Sequence, residues 1–73
     1  YPVSNKPVLF SSGMLFNFPC LFIAFNSYIG AFVDNNIVLS LYTGRPTKIL
    51  SYNASHNCLL AVTDENEVII FNL

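Results

Sequence analysis

The sequence predicts an all-β chain of antiparallel hairpin repeats, and three observations carry that expectation. Apolar runs of strand length, rich in branched and aromatic residues, alternate with clusters of Asn, Asp, Ser, Gly and Pro that turn a chain. No segment combines a helical period with the length and caps of a helix. Third, sliding the chain by 30 residues lays one hairpin on another: Ala31, Asp34, Asn36 and Val38 meet the identical Ala61, Asp64, Asn66 and Val68. Ala24 also meets Ala54, and Ile29, Phe32, Leu39 and Leu41 meet Leu59, Val62, Ile69 and Phe71. A period of this size marks an architecture in which each unit buries its faces by stacking on the next.

In order along the chain, Tyr1 to Pro7 holds two prolines and several polar residues, an irregular lead-in that cannot join a central strand. Val8, Leu9 and Phe10 read as a short edge strand or the end of an upstream element, closed by the breaker Ser11-Ser12-Gly13. Residues 14–33 carry no charge and are long enough to cross a bilayer, so a membrane span is the alternative reading there. Strands are favoured over it. Asn17, Pro19, Asn26, Ser27 and Gly30 interrupt the stretch, Leu15-Phe16-Asn17-Phe18 partly alternates, and Asn26-Ser27 splits off the strands 20–25 and 28–33. Asp34-Asn35-Asn36 is a turn, 37–42 a strand, Thr43-Gly44-Arg45-Pro46 a second turn, and 49–52 a short strand. The cluster 53–57 then leads into a hairpin from Cys58 to Leu73 about Asp64, Glu65 and Asn66. Both faces of that hairpin are apolar, Val68 and Ile70 lying opposite Ile69 and Phe71, so cover is expected above and below it, over Ile70 included.

Composition points the same way. Of 73 residues 53% are hydrophobic and 10% charged, against about 25% charged in ordinary soluble domains, which leaves too much apolar surface for a free monomer to hide. Neighbouring repeats, a partner chain or a membrane are expected to cover the excess. The net charge is −1 with Lys6, Arg45 and Lys48 the strong bases, so no patch tracks a phosphate backbone and direct nucleic-acid binding is not expected. Cys20 and Cys58 permit one disulfide at most and are read as unpaired thiols. Asn53-Ala54-Ser55 is a glycosylation sequon that matters only in a secreted chain. No signal peptide is evident and the first residue is not Met, so residue 1 is not read as a native start; the compartment stays open, with cytoplasm or nucleus favoured.

The residues also resemble a known family. Leu59-Leu60-Ala61, the acidic turn Asp64-Glu65-Asn66 and Val68 to Leu73 look like the middle strands of a WD-repeat propeller blade, Phe71-Asn72 standing where the family carries Trp-Asp. Thr43-Gly44 is similar to the Thr-Gly that often follows that dipeptide. The resemblance covers residues 20–73. Trp-Asp itself and a preceding Gly-His are missing, and the period is shorter than the family's. The chain is divided into a lead-in or edge strand over 1–13 and repeat units at 14–44 and 45–73, and the resemblance implies part of a larger propeller, since two blades cannot close a ring.

His56 and Cys58 stand two apart, but a metal needs about four ligands and a nucleophile an oriented base, and the sequence places neither. Asp64, Glu65 and Glu67 lack the ligand spacing of a calcium loop, and Asp34 and Asp64 are expected to accept backbone N–H groups within their own turns. No catalytic, metal or cofactor residue is therefore assigned, and the chain is read as no enzyme. Tyr28, Tyr42, Arg45 and Tyr52 are the candidate partner-binding residues, because Tyr and Arg are enriched in protein interfaces. The expected role is a protein–protein interaction scaffold, with the remaining blades or other protein subunits as partners; the alternative is a membrane-anchored or membrane-embedded chain using 14–33.

Overall fold

A computed structural model describes residues 9–73, which form seven strands and no helix. They are β1 (Phe10–Leu15), β2 (Phe18–Ala24), β3 (Tyr28–Val33), β4 (Asn36–Tyr42), β5 (Thr47–Asn53), β6 (Cys58–Thr63) and β7 (Val68–Asn72). All pairings are antiparallel between sequence neighbours, giving one sheet ordered β1-β2-β3-β4 and another ordered β5-β6-β7. The chain is all β and built of hairpins, as the turn chemistry predicts. The repeat is visible in three dimensions: β2-β3-β4 and β5-β6-β7 are successive three-stranded meanders, and Ile29 with Leu59, and Ala31 with Ala61, are fully buried at equivalent places.

One face of each sheet packs on the other. Alternation along the strands sends Leu15, Cys20, Phe22, Ile29 and Ala31 from the first sheet and Leu59 and Ala61 from the second into a single core. Phe22 and Tyr52, again equivalent in the two repeats, stack with ring centroids 5.9 Å apart. Gly13 lies under this pair: a Cβ there would come within 2.7 Å of the Tyr52 ring and 2.8 Å of the Phe22 ring. The Ser11-Ser12-Gly13 break is thus not a break but the middle of β1, paired to Phe22, Leu21 and Cys20. The glycine is there for ring clearance. Residues 1–8, which include most of the predicted lead-in and Val8, lie outside the described residues.

Residues 14–33 do not form a continuous helix. They are the end of β1, all of β2 and all of β3, split by a bend at Asn26-Ser27. No helix among the described residues is long and apolar enough to cross a membrane. The alternation expected at 15–18 gives way to a hairpin turn: Leu15 pairs with Phe18, and Phe16 and Asn17 adopt φ of 51° and 68°. Asp34 and Asn35 do the same at 51° and 67°, the positive-φ pattern of tight two-residue hairpins. The second repeat has a longer loop at 64–67, and a bulge between Ala31 and Phe32 takes up the difference, so Ala31↔Leu39 and Ala61↔Ile69 remain equivalent pairs.

Cover on both faces of the last hairpin is not supplied by the described residues. Leu59, Ala61 and Thr63 are buried, but Ile70 on the opposite face is 59% exposed and Val68 is 62% exposed. The reason is topological: the described residues form two sheets, so each has one neighbour and one open face among them.

Candidate functional site

The open faces are the chain's most distinctive surfaces. On the first sheet, Phe10, Met14, Leu21, Ile23, Phe25, Phe32 and Ile37 point away from the core, and the strands that carry them contain no charged residue. Gly30 keeps this face low: Phe32, Phe25 and Ile37 close over the place where its side chain would be, at 3.1, 3.3 and 3.7 Å. Phe25 stacks on Tyr28 with centroids 4.8 Å apart. On the second sheet the register puts Ile49, Leu60, Val62, Val68 and Ile70 together on the outer side. Apolar surface of this extent ordinarily marks a place where something else packs.

The four predicted partner-binding residues do not converge. Tyr28 and Tyr42 are a directly opposed cross-strand pair at one end of the first sheet, with Tyr42 77% exposed. Tyr52 packs inside, stacked on Phe22, and its hydroxyl donates to Asn57 Oδ1 at 2.7 Å. Arg45 ties the β4–β5 connection to the β6–β7 turn. Its Nε donates to Asp64 Oδ1 at 2.9 Å and its Nη2 lies 3.0 Å from Glu65 Oε2, while Asp64 N–H donates to Pro46 O at 2.9 Å. The hydrogen bond to Asp64, with the surrounding carboxylates, holds the guanidinium above its ordinary pKa. Arg45 thus spans the crossover from β4 to β5 and the β6–β7 turn.

Asp64 consequently does not cap its own turn. The buried Thr63 does so, its Oγ1 accepting from Glu65 N–H at 3.3 Å and Glu67 N–H at 3.2 Å. At Asp34 it is the backbone carbonyl that takes a hydrogen bond, from Asn36 Nδ2 at 3.2 Å. His56 donates its backbone N–H to Asn53 Oδ1 at 3.2 Å, and no group of three or more His, Cys, Asp or Glu gathers among the described residues. Cys20 and Cys58 are both free thiols; burial pushes the Cys20 pKa up. Sequence reasoning missed the exposed ring of Phe16 at the β1–β2 tip, which with Phe18 and Val38 lines an open apolar cleft running in to Leu15 and Val33. An aromatic at a turn centre gives no turn signal. No protein-family model, no curated protein and no solved structure matches this chain.

Proposed function

We propose that this chain is a non-catalytic protein–protein interaction scaffold, contributing blades to a WD-repeat-like β-propeller whose remaining blades, or other protein subunits, cover its open faces. The observation that carries this reading is the pair of charge-poor apolar faces left uncovered on opposite sides of a two-sheet stack. Support also comes from the repeat, which falls on consecutive antiparallel meanders, and from the inter-sheet contact, which uses equivalent residues of the two units, Phe22 and Tyr52. In this reading Tyr52 holds the units together, Arg45 fixes the connection that enters the second unit, and Tyr28 and Tyr42 belong to the partner-facing surface.

The test places one charge on each open face, Leu21→Asp with Ile70→Asp. Both side chains keep access to water in the free chain, Leu21 at 36% and Ile70 at 59% exposure, so the charges remain hydrated and the fold is retained. Sedimentation velocity and binding of a hydrophobic fluorophore are expected to show an associating, dye-binding wild type and a double variant that no longer binds the dye and associates more weakly. A wild-type chain that sediments as a monomer and leaves the dye dark overturns the reading.

A further inference from the structure

We infer that the free edge of β4 is a self-complementary docking strand that pairs antiparallel with β4 of a second copy of this chain, the twofold axis passing between the two Leu41 residues. The backbone fixes the chemistry of the occupant. Thr43 N–H donates to Ser27 O at 2.9 Å, and the register continues inward through Ile29↔Leu41 and Ala31↔Leu39. In an antiparallel ladder, pairs that exchange hydrogen bonds alternate with pairs that do not. The backbone groups of Leu39 and Leu41 therefore face β3, and the N–H and C=O groups of Ser40 and Tyr42 point away from the sheet, with no strand of the described residues beside them. Donors and acceptors spaced in this way are a template for another extended strand.

The side chains select a second copy. Pairing about Leu41 sets Ser40 opposite Tyr42 of the other copy and the reverse, so a small residue meets a large one twice. The Tyr42 ring, exposed along the edge, then lies between Tyr28 of its own chain and the small Ser40 of the second copy. β4 carries no charge along its length, so no like charges oppose each other across the axis. A twofold axis normal to the sheet keeps both apolar outer faces on one side, joining the two four-stranded sheets into one surface. The other edges are less suited. β1 runs beside β5 with Gly13 under Tyr52; β5 carries at its bulge the charged Lys48, whose Nζ is bonded to Asn66, whereas the bulge of β4, at Val38, lies outside the segment 39–43 that would pair; and β7 is shorter and begins directly after Glu67. This inference stands on strand geometry and holds whether or not the chain belongs to a propeller.

The geometry makes a position-specific test. Opposed residues of a non-hydrogen-bonded pair have Cα atoms about 4.5 Å apart, within reach of a disulfide. In a Cys58→Ser background, Leu41→Cys is expected to cross-link two copies under mild oxidation. Leu39→Cys, opposite Thr43 of the second copy rather than itself, is not. Ser40→Pro deletes an N–H that points away from β3, so the chain still folds, with native circular dichroism, but its self-association weakens at least about tenfold. A wild-type chain that stays monomeric overturns the inference, as does a Leu41→Cys chain that associates without cross-linking, or a folded Ser40→Pro variant that associates like the wild type. Loss of the Leu41 cross-link with retained association contradicts the β4 interface and leaves the scaffold reading standing; if Ser40→Pro does not fold, the paired cysteine variants decide alone.

Discussion

Replacing Gly13 with Ala tests how the two sheets meet. The added Cβ falls 2.7 Å from Tyr52 Cγ, 2.8 Å from Tyr52 Cδ1 and 2.8 Å from Phe22 Cε2. All three are ring atoms held in a stack, and Phe22 is fully buried, so neither ring yields without moving a sheet. Overpacking of this kind costs about 1–3 kcal/mol. Against it, Ala stiffens the unfolded chain and returns about 0.4–1 kcal/mol. The net is a destabilisation of roughly 1–2 kcal/mol, which for a chain this small lowers the melting temperature by roughly 5–15 °C. Thermal melting followed by circular dichroism measures it, with Tyr52→Ala as the second arm of a double-mutant cycle. Because that variant removes Cγ and Cδ1 and leaves only Phe22 Cε2 against the added methyl, the Gly13→Ala penalty should shrink in that background. A neutral or stabilising Gly13→Ala in the wild type refutes the packing, and is the result expected of a Ser-Ser-Gly linker lying free of the core.

Three further outcomes follow from individual residues. Phe16→Asn should stabilise the chain by about 1 kcal/mol, since Phe at a φ of 51° bears a left-handed penalty that Asn tolerates; urea unfolding reads the gain. Thr63→Val should cost about 1–3 kcal/mol in the same assay, because it removes the hydroxyl that accepts from Glu65 and Glu67 while leaving the buried volume nearly unchanged. Thiol labelling without denaturant should modify Cys58 well before Cys20, which burial keeps protonated and shielded, and mass spectrometry without reduction should show no loss of two hydrogens.

Most of the strand order is legible in the sequence because its punctuation is chemical. Asp34-Asn35 and Asn26-Ser27 fall where the chain reverses, and Asp, Asn and Ser accept turn geometry that branched residues do not. The Phe16-Asn17 turn is illegible for the same reason, since aromatic residues rarely occupy its first position. Ser11-Ser12-Gly13 misleads because Gly marks both a break and a close approach, and only the position of Tyr52, distant in sequence, distinguishes them. The candidate site was partly legible. That excess apolar surface exists follows from composition; which face of Ile70 stays open depends on the number of sheets stacked, which no local pattern encodes. Arg45 and Tyr52 are of interface type, but Tyr52 serves the contact between the two sheets of this chain, and Arg45 a contact within the second unit.

Among the described residues, each sheet packs one face on the other sheet and leaves its opposite face open for something else to cover. Thermal melting of residues 1–73 over a hundredfold range of concentration tests it most directly, with sedimentation equilibrium on the same samples. Association through the open surfaces couples to folding, so the midpoint should rise with concentration and the mass should exceed that of one chain. A compact monomer with a sharp, concentration-independent transition contradicts the claim, because such a chain is complete with both outer faces in water.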